Sequence, residues 1–224
     1  MTLLDLFAGT GSIGNVGKEM GWDVISLDRD MEADIKCDIM DWDYKVYPNK
    51  YFDVIWASPP CTEYSIAKTT APRDIEGANK VVQRTLDILE YFEAKYWIIE
   101  NPQTGYLKDQ IMMWGLPFKD IDYCKYGMLY RKRTRIWNNV FRWEPKPLCK
   151  RDCWAMDENK KKHKMIAQRG ATPGYPNSKF KQSELYTVPR ELIKEIFEHN
   201  NEFNFMPLFY RMDEIKLLSW GGSS

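Results

Sequence analysis

Five short, mainly apolar runs along the chain have the length and spacing of β-strands. They are TLLDLF at residues 2–7, VISLD at 24–28, FDVIWA at 52–57, KYWIIEN at 95–101 and RTRIWNNVF at 133–141. The first four are nearly continuous in their apolar character, which is typical of parallel strands covered on both faces. The fifth alternates between polar and apolar residues, so we expect it to be half-exposed on an antiparallel side of the sheet.

Helical patterns lie between and after these strands. IGNVGKEMG at residues 13–21 follows the first strand, and NKVVQRTLDILEYFEA at 79–94 has apolar residues at helical spacing. A last helix, RELIKEIFE at 190–198, follows Pro189 in the first-turn position that proline tolerates. Strands that alternate with helices predict an α/β fold with a mostly parallel sheet and helices on both faces.

Charge divides the chain, although its net charge is zero. Residues 1–124 hold 12 Lys/Arg against 21 Asp/Glu, residues 125–190 hold 17 against 5, and residues 191–224 hold 3 against 6. The basic excess in the middle segment is larger than a solvated surface needs and is typical of a surface that binds a polyanion. We therefore expect this segment to contact nucleic acid, with a lysine-rich loop that only confers solubility as the alternative.

Length and composition fit one large domain, or one domain with a small appendage. The chain has 224 residues, of which 44% are hydrophobic. This fraction is enough to form a core and argues against global disorder. Its five cysteines are an odd number, and no signal peptide or membrane-spanning run is recognisable. We expect an intracellular, cytoplasmic protein in a reducing compartment, without a membrane partner and compatible with a bacterial, phage or viral origin.

The residues that follow the first two strands indicate a nucleotide-like ligand, because ligands of parallel α/β sheets bind at the carboxyl edge. Gly9 and Gly11 in DLFAGTGS permit a tight turn and a close approach of the backbone to a ligand. Asp28 ends the second strand where an acid can bind a ribose diol, and Asp38 can accept from an adenine amino group. Together they favour an adenosine-bearing cofactor other than NAD, since the third glycine of the dinucleotide motif is missing; a plain turn capped by Asp28 is the alternative.

A candidate reactive group follows the third strand. Cys61 comes directly after two prolines, which fix the backbone where it leaves the sheet and hold the thiol at the ligand edge. The fourth strand ends in Glu100, a candidate proton donor beside a thiol nucleophile. Arg133 and Arg135 lie on one face of the fifth strand. Each residue has a structural alternative, such as an inert thiol or a buried ion pair, but four of them at one edge favour a catalytic site.

In chain order, DLFAGTGS, SPPCTEYS, IIENP and YGMLYRKRTRIW resemble the motifs of the DNA cytosine-5 methyltransferases over residues 1–142. The resemblance implies a Rossmann-like fold that binds S-adenosyl-L-methionine, with cofactor contacts from Phe7, Ala8, Gly9, Thr10, Gly11, Asp28, Arg29, Asp38, Ile39 and Pro60. It implies a catalytic set formed by Cys61, Glu100, Arg133 and Arg135. It further implies substrate contacts from Ser65, Asn101 and Arg131.

The resemblance also implies a mechanism. The Cys61 thiolate adds to carbon 6 of a cytosine flipped out of DNA, Glu100 stabilises the adduct at N3, and Arg135 with Arg133 holds O2. The implied partner is double-stranded DNA, and a cognate restriction endonuclease is a further candidate partner. Methylation of RNA and a non-catalytic nucleic-acid-binding module remain alternatives, whereas amino-directed enzymes favour an aromatic residue at the position of Cys61.

Several positions depart from the family pattern. Arg131 stands where the family has glutamine, Thr62 replaces another glutamine, and Asn101 is followed by proline instead of valine. The expected Gly-Asn-Ser motif near the C-terminus is missing, and residues 201–224 are candidates to replace it.

We expect three regions along the chain. Residues 1–142 form the catalytic and cofactor-binding domain, residues 143–182 a short basic target-recognition insert, and residues 183–224 a helical segment that returns to the catalytic domain. The insert is much shorter than the family's usual recognition region.

Two features of the insert stay open at the level of sequence. Cys149, Cys153 and His163 could be three ligands of a structural zinc, with the fourth (Cys124 is a candidate) arriving from elsewhere, but no metal is assigned and ordinary loop cysteines are the alternative. Tyr175 and Pro176 could stack on a nucleic-acid strand or form a proline-rich turn.

Overall fold

A computed structural model of the chain describes residues 1–69, 71–159, 161–168, 173–175 and 179–199. Its seven strands are β1 (Thr2–Leu6), β2 (Asp23–Asp28), β3 (Ile35–Lys36), β4 (Val54–Ala57), β5 (Tyr96–Pro102), β6 (Phe118–Asp122) and β7 (Arg133–Asn138). Its α-helices in these ranges are α1 (Ser12–Glu19), α2 (Ile75–Phe92), α3 (Gln182–Tyr186) and α4 (Arg190–His199).

The strands form one mixed sheet in the order β3-β2-β1-β4-β5-β7-β6. The first five strands in this order pair in parallel, and β7 pairs antiparallel with both β5 and β6. The mostly parallel sheet and the antiparallel side at residues 133–138 are therefore confirmed. The fold is Rossmann-like, as expected.

Helices cover both faces of the sheet, because successive residues of a strand point to opposite faces. Leu3 and Val54 belong to the core beneath α1 and α4, whereas their neighbours Leu4 and Ile55 belong to the core beneath α2. Residues of β4 and β5 are buried on both faces, which explains why these strands are continuously apolar in the sequence.

The C-terminal end of the described chain packs on the sheet. Helix α4 buries four apolar side chains in the core that it shares with α1, and the ring centroids of Phe197 and Trp22 lie 4.5 Å apart. The proposed replacement of the missing family motif by residues 201–224 lies outside the described residues, and the expected region boundaries stay predictions. In the part of the chain that the structure describes, no helix is long and apolar enough to cross a membrane.

Candidate active site

A cavity of about 470 Å³ opens at the carboxyl edge of the parallel strands. This volume lies within the range of sites for small molecules and cofactors. The lining includes most of the residues predicted to bind the cofactor, namely Phe7, Ala8, Gly9, Asp28, Arg29, Asp38, Ile39 and Pro60. Cys61, Glu100 and Asn101 line the same cavity, so the structure brings together residues that are up to 94 positions apart in sequence.

The turn after β1 approaches the cavity in an unusual backbone conformation. Gly9 and Gly11 have φ angles of 54° and 72°, and Phe7 has a φ of 62°. A left-handed conformation costs a non-glycine residue about 1–2 kcal/mol, so the turn must be held by other contacts. One of these is the hydrogen bond from the Gly11 N–H to the Ala8 carbonyl at 2.8 Å. Gly11 and Thr10 shape this turn but are not among the cavity-lining residues.

Asp28 fastens the same turn to the end of β2. Its carboxylate accepts hydrogen bonds from the backbone N–H groups of Gly9 at 2.9 Å and of Asp30 and Met31 at 2.8 Å each. Asp28 therefore caps the turn. Its carboxylate has about four lone-pair sites, so it can accept from one more donor, such as a ribose hydroxyl.

Arg29 and Asp38 form an ion pair beside the cavity. The Arg29 Nη1 lies 3.2 Å from Asp38 Oδ2, while Asp38 Oδ1 accepts from the Met40 N–H at 2.9 Å. Both residues line the cavity together with the apolar side chain of Ile39. This combination of apolar and acidic groups suits the base and the amino group of an adenosine.

Asp5 is a buried carboxyl group beneath the turn. It is 1% exposed, and its Oδ2 accepts from the Gly14 N–H at 3.1 Å. Burial raises the pKa of Asp5 to about 7, and the nearby Asp28 carboxylate adds to the increase, while the bond from Gly14 opposes it. The folded protein therefore binds the Asp5 proton more tightly than the unfolded chain does.

This linkage predicts a pH-dependent stability. Because the folded pKa of Asp5 lies above its ordinary value of 3.8, its contribution to the free energy of unfolding is complete below pH 3.8 and is lost as pH rises through about 7. We expect Asp5→Asn, which stays neutral and can still accept from Gly14, to be more stable than wild type at pH 8 by roughly 1–4 kcal/mol. Urea unfolding at pH 5 and pH 8 measures this difference, and identical pH dependence in the two proteins would contradict it.

Asn101 fixes the turn that presents Cys61. Its Nδ2 donates to the Pro59 carbonyl at 2.8 Å, two residues before the half-buried thiol. Its Oδ1 is buried without a hydrogen-bond partner among the described residues. Asn101 therefore ties the end of β5 to the turn that precedes Cys61.

Removal of the hydrogen bond from Asn101 to Pro59 should destabilise the folded protein. Asn101→Ala leaves the buried Pro59 carbonyl without its donor, so we expect the free energy of unfolding to fall by about 1–3 kcal/mol. Asn15→Ala, at an exposed position of α1, is a matched control that should change stability by less than about 0.5 kcal/mol. Urea unfolding of both variants tests the assignment, and equal losses would show that Asn101 holds nothing.

Glu100 is held from two sides at the Cys61 end of the cavity. The Tyr123 hydroxyl donates to Glu100 Oε1 at 2.8 Å, and Lys132 Nζ lies 3.7 Å from the same oxygen. Glu100 is 6% exposed and Tyr123 is fully buried. These contacts leave Oε2 as the carboxylate oxygen that is not committed to Tyr123.

Lys132 is also the cation that acts on the thiol. Burial raises the pKa of Cys61 above its ordinary value, the charge of Lys132 lowers it, and the charge of Glu100 raises it. The thiol is therefore mainly protonated at neutral pH, and Lys132 is the side chain that opposes this. Neither Lys132 nor Tyr123 was predicted from sequence: Lys132 stands between the assigned positions Arg131 and Arg133 of YGMLYRKRTRIW, and Tyr123 precedes that motif.

Arg133 and Arg135, the arginines of the predicted catalytic set, are held in ion pairs with acids of β6. Arg133 binds Asp122 through two hydrogen bonds at 3.0 and 2.8 Å, and Arg135 binds Asp120 at 2.7 and 2.9 Å. Neither arginine is among the described residues that line the cavity. The two guanidinium groups neutralise acids within and at the end of β6, and a role of either arginine toward a substrate base stays a prediction.

The strand register explains the position of the two arginines. Glu100 pairs with Ile136 across β5 and β7, so these two side chains share one face of the sheet. By the two-residue period, positions 134 and 132 continue that face, whereas Arg133 and Arg135 lie on the opposite one. The two arginines do share a face, as predicted, but it is not the face of Glu100.

The two other predicted substrate contacts lie outside the cavity lining. Ser65 is in the loop that follows Cys61, where its hydroxyl accepts from the Ala67 N–H at 3.2 Å. Arg131 is exposed at the surface, with its Nε 4.0 Å from Asp122 Oδ1. Their roles toward a substrate stay predictions.

The basic segment presents many exposed cations. Among the described residues 150–190, the exposed Lys and Arg residues are Lys150, Arg151, Lys161, Lys162, Lys164, Lys179, Lys181 and Arg190. Lys162 Nζ lies 4.7 Å from the centroid of the Tyr175 ring, so one face of this ring already meets a cation. Pro176 lies outside the described residues. The insert also brings Cys149, Cys153 and His163 together with Cys124.

Two solved structures resemble the fold. A protein encoded within an E. coli prophage and assigned as a DNA modification methyltransferase matches 66% of this chain at 15% identity with a TM-score of 0.49. A mutant of DNMT2 from Spodoptera frugiperda matches 66% at 16% identity with a TM-score of 0.43. The matches span about half of the solved chains, 52% and 53% respectively.

A match in sequence covers more of this chain than either of these structures does. No family model matches the chain. A probable DNA (cytosine-5)-methyltransferase of Frog virus 3 (isolate Goorha) is 32% identical over 215 residues, which cover 88% of this chain and 99% of the viral protein. A relationship at this identity over nearly the whole relative shows that the chain belongs to the DNA (cytosine-5)-methyltransferase family.

Proposed function

We propose that this chain transfers a methyl group from S-adenosylmethionine to carbon 5 of cytosine in DNA. One observation carries the proposal: a single cavity joins an end lined by Phe7 and Asp38 to an end lined by Cys61, Glu100 and Lys132. The first end suits an adenosine and the second contains a thiol, a carboxylate and an ammonium group. Membership of the family supports this assignment, because the viral relative is named for the same reaction.

The residues at the first end fit the proposed cofactor. Apolar side chains, among them Phe7 and Ile39, can lie against an adenine, and Asp38 can accept from its amino group. The lone pair that Asp28 retains can accept from a ribose hydroxyl. When bound, S-adenosylmethionine supplies a methyl group on a positively charged sulfur.

At the second end, Cys61 is proposed to act as a nucleophile. Carbon 5 of cytosine is a poor nucleophile until a thiolate adds to carbon 6 and makes the ring an enamine. Glu100 can take the thiol proton and pass it to N3, so that the sulfur–carbon bond forms as N3 gains a hydrogen. Carbon 5 would then take the methyl group and leave the cofactor as S-adenosylhomocysteine. Water or another base would take the carbon 5 proton, the sulfur–carbon bond would break, and the N3 proton would return through Glu100 to the Cys61 thiolate.

Lys132 is proposed to assist this step in place of an arginine. Its ammonium group lies near both Glu100 and the thiol, and it favours the ionised form of Cys61. Positive charge close to a buried thiol is a common means of generating a thiolate. Tyr123 orients Glu100 through its hydrogen bond and is a positioning residue.

DNA is the proposed partner on grounds of charge as well as family. Lys132, which lines the cavity, directly precedes strand β7. The exposed cations of residues 150–190 come after this strand in the chain. Lys and Arg side chains neutralise backbone phosphates without regard to sequence. Access of a cytosine to Cys61 requires that the base leave the duplex, so we include base flipping in the proposal.

Identification of the methylated atom tests the proposal. Wild-type protein is incubated with unmethylated duplex DNA and, separately, with RNA in the presence of labelled S-adenosylmethionine, with S-adenosylhomocysteine as the inhibited control. Digestion and chromatography should yield 5-methyldeoxycytidine from DNA. Label on an amino nitrogen would overturn the carbon chemistry, and label in RNA alone would overturn the choice of DNA.

A further inference from the structure

Four potential metal ligands converge at the junction between the sheet and the basic insert. The sulfur atoms of Cys124, Cys149 and Cys153 and a ring nitrogen of His163 all lie within 4.8 Å of one another. Cys124 follows the end of β6, whereas the other three come from the insert, up to 39 positions later. Cys124 is fully buried and Cys149 is 5% exposed.

The two sulfur–nitrogen distances at His163 are close to those of tetrahedral coordination. His163 Nε2 lies 3.5 Å from Cys149 Sγ and 3.4 Å from Cys153 Sγ. A tetrahedral zinc with Zn–S of about 2.3 Å and Zn–N of about 2.1 Å separates sulfur and nitrogen by roughly 3.6 Å. One ordinary hydrogen bond does not account for both contacts, because Nε2 offers either a single lone pair or a single proton, depending on the tautomer, and two sulfur atoms lie within reach of it.

We propose that these four residues bind one structural zinc ion. Three thiolates and one imidazole are a typical ligand set for zinc, and four protein ligands leave no open position for catalysis. The surrounding cluster is small, with Ala155 as the one further buried apolar residue of the described chain that belongs to it. A loop with so little core of its own gains order from a metal.

Backbone contacts already set the ligands in place. Met156 and His163 form an antiparallel bridge, which continues through hydrogen bonds from Asp157 N–H to Lys162 O at 2.9 Å and from Lys164 N–H to Ala155 O at 2.8 Å. This hairpin turns His163 back toward Cys153. The exposed lysines 161, 162 and 164 flank the histidine, so the same metal would fix the basic surface.

The zinc would also connect the insert to the wall of the active site. Asp122 accepts from the Cys149 N–H at 2.9 Å while it binds Arg133, and the next residue, Tyr123, donates to Glu100. The third consecutive residue, Cys124, is a metal ligand. The three consecutive residues Asp122, Tyr123 and Cys124 therefore connect the insert to Arg133 of β7 and to the Glu100 carboxylate.

Metal content is the direct test and requires no methyl transfer. Protein purified under reducing conditions should contain one zinc per chain by elemental analysis, and Cys124→Ser and Cys153→Ser should lose it. Cys37→Ser and Cys61→Ser, which remove thiols outside the cluster, should retain it. A wild-type protein without zinc, or a Cys124→Ser protein with full zinc content, would overturn the proposed four-ligand site.

A second variant guards against simple misfolding. His163→Cys keeps four ligands, so after replacement of zinc by cobalt it should still show the absorption of tetrahedral Co²⁺, with a shifted charge-transfer band. Removal of the metal from wild type with a chelator should speed tryptic cleavage within residues 143–182 by about tenfold or more. Absence of a tetrahedral cobalt spectrum in wild type, or unchanged cleavage of metal-free protein, would contradict the proposal.

Discussion

Replacement of Cys61 by serine is expected to abolish methyl transfer and to leave cofactor binding intact. A serine hydroxyl does not ionise near neutral pH, so it cannot add to carbon 6 of cytosine as a thiolate does. Loss of a nucleophile that acts together with its partners reduces turnover by about 10⁴-fold or more. Transfer of labelled methyl groups to duplex DNA under single-turnover conditions measures the effect.

Ligand binding at the cofactor end of the cavity is the control for this variant. Phe7, Asp28 and Asp38 do not contact the thiol in the proposed arrangement, so the affinity for S-adenosylhomocysteine by calorimetry should stay within about threefold, less than 1 kcal/mol. A Cys61→Ser protein that binds the ligand and keeps more than a few per cent of the wild-type rate would rule out covalent catalysis by this residue.

Lys132→Met is expected to slow methyl transfer by about 10²–10³-fold, the usual effect of removing one preorganised charge from an active site. The substitution keeps most of the volume of the side chain and removes the charge that lowers the pKa of Cys61. The thiol pKa should rise further, so the profile of alkylation rate against pH should move to higher pH. Mass spectrometry of the Cys61 peptide after timed reaction with iodoacetamide measures this profile.

Two matched variants separate charge from structure. Lys132→Arg retains a cation and should keep the alkylation profile close to that of wild type. Arg135→Met removes the cation that pairs with Asp120 on the opposite face of the sheet and should leave the profile unchanged. If the profile moves in Arg135→Met and not in Lys132→Met, Arg135 and not Lys132 is the cation that acts on the thiol, and the register argument fails.

Much of the fold could be predicted from sequence because the central strands are buried on both faces. β1, β4 and β5 carry continuous apolar runs, and the period of α2 is clear over 18 residues. β3 escaped prediction because two residues are too few for any pattern. β6 escaped as well, because its sequence FKDID contains two acids that bind arginines of β7 only once the strands have paired.

Part of the candidate site could likewise be predicted from sequence, and part could not. Asp28 ends β2, Glu100 lies near the end of β5, and Cys61 follows β4 after three residues. The carboxyl edge of a parallel sheet brings such residues together without knowledge of register. The choice between Lys132 and its arginine neighbours depends on which face of β7 meets Glu100. That choice is fixed by the pairing of Glu100 with Ile136, and a one-residue shift would reverse it.

The cysteine cluster shows a third limit. Cys149, Cys153 and His163 could be read as an incomplete ligand set, but Cys124 stands 25 positions before the nearest of them, at the end of a strand that the sequence did not reveal. The hydrogen bond from the Cys149 N–H to Asp122 and the hairpin at His163 help to bring the four side chains together, and both contacts appear only in the folded chain.

Covalent trapping tests the central claim most directly. Duplex DNA with 5-fluorocytosine in place of cytosine is incubated with S-adenosylmethionine and with wild-type or Cys61→Ser protein. Fluorine at carbon 5 cannot leave as a proton, so the proposed mechanism predicts a stable protein–DNA adduct whose peptide map places the methylated base on Cys61, and no adduct in the variant. Efficient methylation of ordinary DNA without any adduct on the fluorinated duplex would contradict a thiol-dependent transfer to carbon 5.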